Sequence, residues 1–341
     1  MGLDLKPLVT AAPLKLPELS GKVVAIDAYN TIYQFLSSIR GPTGEPLANS
    51  RGEITSHLSG LFYRNANLLM ENIKPVYVFD GKANDLKMPE IERRGKIKSE
   101  ATEKYQLAME EGRIEDARKY GTRTSVLTDK MVEESKKLLS HLGIPFIQAP
   151  SDGEATAAYL TKRDLAYAAA SQDYDSILFG AKKLVRNMAI SGKRKVPNRN
   201  VYVDVEPEIF EHDKVLQEVG LTHEQLVDVG ILIGTDFNPG GFSGIGPKTA
   251  LKLIKENGRL ENVEKVKHLL PEVPYQEIRK IFLDPKFPQV DKIEFGEVSR
   301  EKVLDFLCVD KSFSADRVSG TLDKLQKSAA NRSQSLEQWF G

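Results

Sequence analysis

The stretch Lys22-Val-Val-Ala-Ile-Asp27 is an apolar run of strand length that ends in an acidic residue. Lys74-Pro-Val-Tyr-Val-Phe-Asp80 repeats the pattern. Between them, residues 30–39 and 57–71 carry apolar side chains at helical spacing. Strands that alternate with helices are typical of a parallel sheet. We therefore predict an α/β fold with a mixed, mostly parallel central sheet that is flanked by helices.

Acidic residues follow apolar runs throughout the chain. Besides Asp27 and Asp80, the set comprises Asp152, Glu154, Asp173, Asp175 and Asp236. Because the carboxyl ends of parallel strands share one edge, we expect these side chains to meet in one pocket. Their mutual repulsion requires cations, and oxygen ligands alone favour Mg²⁺, with Mn²⁺ as a substitute, over zinc. The alternative for any single residue is a helix N-cap, as Asp27 could provide.

Composition excludes some classes of protein. The 341 residues carry 48 basic and 48 acidic side chains, so any affinity for nucleic acid must come from local patches. The single Cys308 excludes an intramolecular disulfide framework and suits a reducing interior. No run reaches 18 apolar residues and the first residues lack an apolar signal core, so we expect no membrane segment.

Residues 87–140 lack strand signals and are dense in Lys, Arg and Glu, which predicts two or three mostly solvated helices inserted between strands. This segment begins with a basic cluster: Lys87, Arg93, Arg94, Lys96 and Lys98. A solvated charged face is the ordinary explanation for such a run. The neighbouring acidic residues favour a contact with phosphate instead, because a phosphate between metals gains from added cations.

A glycine-rich turn, Gly244-Ile-Gly246-Pro-Lys248, interrupts a helical region and indicates a helix-hairpin-helix. Its glycines permit a tight turn and a close approach to a partner. Pro247 then starts a helix whose free N–H groups could hold a phosphate, with Lys248 and Lys252 adding charge. An ordinary turn between helices is the alternative.

Two further signals are aromatic. Tyr33 lies on the helix after Asp27, where it either packs in the core or offers a stacking platform for a base. Leu336, Trp339 and Phe340 are apolar residues in a polar tail. They either fold back onto the core or fit a partner's groove by folding on binding.

Together these motifs resemble the flap endonuclease family of structure-specific 5′ nucleases, and its archaeal members most closely. The motifs occur in the family's order: Met1-Gly-Leu, Val-Ala-Ile-Asp27, Val-Tyr-Val-Phe-Asp80-Gly-Lys, Ala-Pro-Ser-Asp-Gly-Glu154-Ala, Ser-Gln-Asp173-Tyr-Asp175 and Gly-Ile-Gly-Pro-Lys248. The resemblance implies one nuclease domain over residues 1–325, with a helical arch at 82–130 and the helix-hairpin-helix at 225–260. A flexible tail that binds a sliding clamp would follow at 326–341.

The resemblance also implies roles for individual residues. The seven acidic residues would bind two magnesium ions, with Asp80 and Glu154 catalytic, and Lys87 and Arg94 would engage the scissile phosphate from the arch. Contacts with DNA would come from Tyr33, Thr55, Arg93, Gly244, Gly246, Lys248, Lys252 and Lys311. Within that set, Thr55 and Lys311 resemble a pocket for a one-nucleotide 3′ flap, and the glycine hairpin resembles one that also takes K⁺. Leu336, Trp339 and Phe340 resemble a box for the sliding clamp.

Two positions depart from the family pattern. Asp152 stands where the family more usually has Glu, which suggests a metal contact through water. Ser333 occupies the usual glutamine position of the clamp box, with Gln334 one place further on.

The implied activity is magnesium-dependent removal of 5′ flaps in DNA replication and repair, with 5′–3′ exonuclease activity, by a monomer located at the nucleoid in the cytoplasm. One alternative is a phosphatase that uses Asp173 and Asp175 as an Asp-x-Asp nucleophile. Another is a non-catalytic scaffold that binds DNA junctions and recruits the clamp.

Overall fold

The computed structural model gives the backbone of residues 3–188, 192–195 and 202–340, with side chains except at 192–195, 202–204 and 333–340. Nine strands lie in these ranges: β1 Ala12–Pro13, β2 Val23–Asp27, β3 Lys74–Phe79, β4 Phe146–Gln148, β5 Ala168–Ala170, β6 Lys183–Arg186, β7 Gly192–Lys195, β8 Tyr202–Val205 and β9 Glu208–Glu211. Seven form one sheet in the order β1-β9-β6-β5-β2-β3-β4, while β7 and β8 pair with each other.

The centre of the large sheet is parallel. β2 pairs with β3 on one side and with β5 on the other, β3 pairs with β4, and β5 pairs with β6. Only the β6–β9 and β9–β1 pairs at one edge are antiparallel. The strand order therefore runs in opposite directions from β2, which opens a crevice at the carboxyl ends of β2 and β5. The predicted mixed, mostly parallel sheet is confirmed.

Fourteen α-helices surround the strands in the described part of the chain: α1 Ala28–Ser38, α2 Ser56–Met70, α3 Met88–Glu110, α4 Ile114–Gly121, α5 Asp129–His141, α6 Gly153–Lys162, α7 Asp175–Leu178, α8 His212–Val219, α9 His223–Ile233, α10 Pro247–Asn257, α11 Glu264–Lys267, α12 Tyr275–Leu283, α13 Arg300–Leu304 and α14 Ala315–Phe340. Short 3₁₀ segments occur at Leu16–Leu19, Asp85–Lys87, Leu260–Asn262 and Leu270–Glu272, and a π-helix at Asp305–Asp310.

Both faces of the sheet are covered, as the near-continuous apolar runs of its central strands require. Ala25 points into a cluster with α6 and α9, while its neighbours Val24 and Ile26 point into a cluster with α1, α2 and α5. The alternation follows the two-residue period of a strand. Each fully buried aliphatic side chain contributes about 1.5–3 kcal/mol relative to exposure. Packing on both faces of the sheet thus fixes the position at which each strand ends.

Three helices, α3 to α5, occupy the predicted insertion between β3 and β4. α5 belongs to the body, because Leu138 and Leu139 are buried against it. α3 is mostly solvated, with only Glu90, Ala101 and Ala108 buried along its 23 residues. The insertion therefore projects α3 and α4 from the body beside the carboxyl ends of the strands.

The last helix continues past residue 326, where the sequence analysis places the start of a C-terminal tail. α14 runs from Ala315 to Phe340 without a break. Ser328 Oγ and Arg332 Nη1 each donate a hydrogen bond to the carbonyl oxygen of Met70, at 3.0 and 2.9 Å. Residues 327–340 are thus helical, and the first turns of this stretch stay in contact with α2. None of the described helices combines the length and the apolar character that a membrane span requires.

Candidate active site

The acidic residues lie at one edge of the sheet. Asp27 ends β2, Asp80 follows β3, Asp152 precedes α6, and Asp175 begins α7. Their charges act on one another: Asp80 and Asp173 raise the pKa of Asp27, Asp27 raises that of Glu154, and Asp236 raises those of Asp80 and Asp175. The fold therefore gathers the seven predicted carboxylates into one cluster, which we call the acidic cluster.

Hydrogen bonds from Ser171 and Asn30 tie the cluster together. Ser171 Oγ donates to Glu154 Oε1 at 2.8 Å and lies 3.4 Å from Asp27 Oδ2. The backbone N–H of Asn30 donates to Asp27 Oδ1 at 3.0 Å, so Asp27 is also the N-cap that the alternative interpretation predicted. Asn30 Nδ2 donates to Asp173 Oδ2 at 2.9 Å. These two residues orient three carboxylates, and the sequence analysis missed both.

Asp80 is held by the start of α6. The backbone N–H of Gly153 donates to Asp80 Oδ1 at 2.6 Å. A Cβ atom at residue 153 would lie 2.8 Å from that oxygen, closer than real contacts allow. Gly153 therefore permits the close approach that fixes Asp80, and this constraint explains the glycine between Asp152 and Glu154.

Burial makes the cluster difficult to ionise. Desolvation raises the pKa of Asp27 to about 8, and neighbouring Asp80 adds to the effect. Desolvation likewise raises the pKa of Asp175 to about 8, with further contributions from Asp236 and Asp173. The pKa of Glu154 is also raised, by burial first and then by Asp175. A nearby cation would reverse these shifts by favouring the charged carboxylates.

Lys87 and Arg94 supply positive charge at the rim of the cluster. Lys87 forms an ion pair with Asp152, and its ammonium lies 4.9 Å from the ring centroid of Phe237. Arg94 Nη2 donates to Asp236 Oδ1 at 2.7 Å. Burial lowers the pKa of Lys87, but the charge and hydrogen bond of Asp152, together with the charges of Asp80 and Asp236, outweigh burial and raise it. Both predicted cations thus reach the cluster from the insertion.

The donor set fits a divalent cation. Its members are oxygen ligands only, the preference of Mg²⁺ and Mn²⁺. Asp175 Oδ1 is buried without a hydrogen-bond partner, so this residue of the acidic cluster has an unsatisfied acceptor. In the part of the chain described, no three acidic, His or Cys side chains converge closely enough to form a ready-made ion cage. Lys87 and Arg94 hold two outer carboxylates instead, and the seven ligands stay a prediction.

The predicted helix-hairpin-helix joins α9 to α10. Gly244 has φ +72°, a left-handed conformation that favours glycine. Gly246, the N-cap of α10, has φ −87°, and a Cβ there would meet nothing within 4 Å. Of Gly244 and Gly246, the turn conformation therefore requires a glycine at 244 alone, and Gly246 leaves open space at the helix start. Lys248 and Lys252 are exposed on α10.

Tyr33 is half-buried on α1, and a lysine of the insertion covers it. Lys98 Nζ lies 4.4 Å from the ring centroid and donates to the Tyr33 hydroxyl at 3.2 Å. Arg93 is exposed for 47% of its side chain and pairs with Glu90 at 2.7 Å. Tyr33 therefore lies between the body and the insertion, on the helix that begins directly after Asp27.

Of the two residues predicted for a 3′-flap pocket, one lines a pocket in the structure and the other does not. Lys311 is buried and lines a pocket of about 550 Å³ together with Glu134, Lys130 and Phe306. Its Nζ lies 2.5 Å from Glu134 Oε1. Thr55 is also buried, but it precedes α2 and is not among the lining residues. The predicted clamp residues Leu336, Trp339 and Phe340 have helical backbone, and their side chains lie outside the described residues.

Comparison with known sequences agrees with this geometry. The XPG N-terminal domain matches residues 4–101, and the XPG I-region matches residues 143–236. Flap endonuclease 1 of Nitrosopumilus maritimus is 57% identical over 340 residues and is matched along 100% of both chains. The chain belongs to the flap endonuclease family. The enzyme of Saccharolobus solfataricus is 48% identical, over 99% of this chain and 100% of its own.

Solved structures share the fold. The flap endonuclease-1 from Methanococcus jannaschii superposes with a TM-score of 0.75 at 37% identity, covering 97% of this chain and 100% of its own. The catalytic core of Rad2 in complex with a DNA substrate gives a TM-score of 0.69 at 25% identity, over 92% and 96% of the two chains. The family resemblance read from the sequence is confirmed, and with it a nuclease of the hydrolase class that acts on DNA.

Proposed function

We propose that this chain is a magnesium-dependent, structure-specific endonuclease that removes 5′ flaps from branched DNA during replication and repair, with 5′–3′ exonuclease activity. The observation that carries the proposal is the acidic cluster, in which residues from four strand ends and from the segment after α9 meet two cations of the insertion. Burying a cluster of carboxylates with raised pKa values costs folding free energy unless a cation binds to them.

The ligands of two divalent ions would be the seven acidic residues of the acidic cluster. Two such divalent ions would stabilise the attacking and leaving oxygens of the phosphodiester. Mn²⁺ would serve in place of Mg²⁺ because both prefer oxygen ligands. Asp152 has a different place, because its carboxylate already pairs with Lys87. This pairing supports a contact with metal through water.

Positive side chains of the insertion would act on the scissile phosphate. Lys87 and Arg94 lie at the rim of the acidic cluster, where negative charge develops during hydrolysis. Cations fixed at such a place stabilise the transition state without reorganising during the reaction. Tyr33 would offer its ring to a neighbouring base once Lys98 leaves it.

The duplex would be held through its backbone. The open N-terminus of α10 at Gly246, with Lys248 and Lys252 beside it, suits a phosphate, and K⁺ would bind at the same hairpin. Arg93 adds an exposed cation on the insertion. The pocket at Lys311 would take a one-nucleotide 3′ flap, and Thr55 stays a predicted contact of that flap. Recognition of this kind depends on the shape of DNA and on salt, and does not depend on sequence.

A sliding clamp would bind the end of α14 through Leu336, Trp339 and Phe340. The predicted test is Phe340→Ala, which should abolish stimulation of cleavage by the clamp and leave cleavage without the clamp unchanged. The measurement is the rate of flap cleavage with and without clamp. Loss of both rates would show that Phe340 packs on the nuclease body, and the proposed clamp contact would then be wrong.

The proposed activity is tested with a 5′-labelled double-flap DNA in Mg²⁺ or in chelator. We expect one incision at the base of the 5′ flap in Mg²⁺ or Mn²⁺, none in chelator, and little cleavage of plain duplex. A chain that binds the flap DNA but leaves it intact in Mg²⁺ would be a junction-binding scaffold. Either that result or equal cleavage in chelator contradicts the proposal.

A further inference from the structure

Glu90 is a buried carboxylate on a mostly exposed helix. It lies in the first turn of α3 and is 3% exposed, while its neighbours Ile91 and Glu92 are exposed. Arg93 Nε and Nη2 both donate to its carboxylate at 2.7 Å, and Arg94 Nε donates to Oε1 at 2.6 Å. One acid thus holds two guanidinium groups. Hydrogen bonds from Arg93 lower the pKa of Glu90 to about 2 despite burial, and the acid remains ionised at neutral pH.

Arg94 is held from two sides. Its Nε donates to Glu90, and its Nη2 donates to Asp236 Oδ1 of the acidic cluster at 2.7 Å. A guanidinium is planar, with its N–H donors in a fixed fork. Two contacts on different nitrogens therefore set the orientation of the plane as well as its position. Without Glu90, the bond to Asp236 would be the one side-chain hydrogen bond left to Arg94 among the described contacts, and the long side chain could rotate about it.

We propose that Glu90 is a positioning residue that fixes the guanidinium of Arg94 over the acidic cluster before substrate arrives. The proposal rests on the proposed function, since it requires Arg94 to act on the scissile phosphate. When a phosphate replaces Asp236 as the partner of Nη2, the bond from Nε to Glu90 keeps the fork aimed at the same place. The charge is then oriented in advance, and less of the barrier is spent on ordering it.

A purely structural role for Glu90 leads to a different expectation for its variants. An acidic residue in the first turn of a helix interacts favourably with the helix dipole. That role acts on the stability of α3 and does not depend on Arg94. Glu92 lies in the same part of α3 and is exposed, which makes Glu92→Ala the matched control.

The test is a double-mutant cycle on the full chain. Single-turnover cleavage of the double-flap DNA in Mg²⁺ and the Kd for the same DNA in chelator are measured for Glu90→Ala, Arg94→Ala, the double variant and Glu92→Ala. We expect Glu90→Ala to lower the cleavage rate roughly 10- to 100-fold, the range of a misplaced catalytic contact. The Kd should change less than about threefold, Arg94→Ala should abolish the effect of a second change at Glu90, and Glu92→Ala should cut at the wild-type rate.

Several outcomes would overturn the inference. If Glu90→Ala slows cleavage equally with and without Arg94, Glu90 acts independently of that arginine. If Glu90→Ala cuts at the rate of Glu92→Ala while Arg94→Ala is slow, only the inference fails. If Arg94→Ala itself cuts at the wild-type rate, the proposed function of Arg94 fails, and the inference fails with it. Should Glu90→Ala melt well below the wild type, the cycle is repeated with Glu90→Gln, for which the same dependence on Arg94 is expected.

Discussion

At the scale of single residues, Asp175 shows most clearly what the acidic cluster requires. Its side chain is 3% exposed, and its Oδ1 has no hydrogen-bond partner. A buried, unsatisfied carboxylate oxygen is costly, because it has lost its water and gained nothing in return. The cost is explained if a cation binds at that oxygen. Asp27 differs, since both of its oxygens have polar neighbours in Asn30 and Ser171.

Replacement of Asp175 should separate cutting from binding. We predict that Asp175→Asn lowers the single-turnover rate of flap cleavage by at least about 10³-fold, on the scale of losing a transition-state electrostatic contact. The Kd for flap DNA should stay within a few-fold, because the proposed contacts with the duplex lie at other residues. Asp164→Asn is the control, since Asp164 is exposed and pairs only with Lys182 among the contacts described. Undiminished turnover of Asp175→Asn would refute the assignment of Asp175 as a ligand.

The raised pKa values predict how stability depends on pH in the absence of divalent ions. Burial, first of all, raises the pKa of Asp27 and of Asp175 from 3.8 to about 8. Between these values the folded chain binds more protons than the unfolded chain, so the free energy of unfolding falls as pH rises. We predict that the Tm measured in chelator decreases from pH 5 to pH 8.5 and levels off above it.

The control for this pH dependence is Asp175→Asn, whose side chain is neutral throughout. Its Tm should fall less steeply across the same range, and added Mn²⁺ should raise the wild-type Tm most at the alkaline end. A wild-type Tm that is flat or rises with pH in chelator would contradict the pKa shifts.

At the scale of elements, sequence reasoning succeeded where the signal is local. Apolar runs that end in Asp27 and Asp80 mark strand ends directly, and Gly244 marks a turn by its conformation. It missed contacts that depend on how distant strands pair. Asn30 reaches Asp173 across 143 residues, and Ser171 reaches Asp27 across 144. No local pattern encodes those bonds, since they arise only when β2 and β5 lie side by side.

The C-terminal part of α14 is a second example of a feature that depends on a long-range contact. The family resemblance implies a flexible segment at residues 326–341, and this boundary stays a prediction. The backbone of α14 continues through residue 326, where Ser328 and Arg332 bind the carbonyl oxygen of Met70 at the end of α2. No local sequence pattern shows that this carbonyl would be available.

The start of α10 predicts a measurable electrostatic effect. Each cation that binds a phosphate of B-DNA releases a counterion and contributes about 0.9 to the slope of log Kd against log salt concentration. We predict that Lys248→Ala lowers this slope by about 1 and weakens binding of all flap sequences alike. The measurement is a salt titration of binding in chelator.

The matched control is Lys267→Ala on α11, because Lys267 is exposed and pairs with Glu264 at 2.7 Å. Its slope should equal that of the wild type. An unchanged slope for Lys248→Ala, or an equal loss for Lys267→Ala, would remove the helix-hairpin-helix from the DNA interface.

At the scale of the whole molecule, the sheet and the insertion act together. The reversal of strand order between β2 and β5 creates the crevice, and packing on both faces sets where the strands end. The insertion then brings Lys87 and Arg94 to the same place from outside the sheet. The acidic residues, which are distant in sequence, are thereby combined with two cations on long side chains. Neither the sheet nor the insertion could form this arrangement alone.

The central claim is that these acidic residues jointly hold two divalent ions. Anomalous diffraction from crystals grown with Mn²⁺ and a flap DNA product tests it directly. We expect two manganese peaks about 3.5–4 Å apart, the spacing of two-metal sites, surrounded by Asp27, Asp80, Glu154, Asp173 and Asp175. Manganese bound elsewhere, or an acidic cluster that holds no manganese at saturating concentration, would contradict the claim.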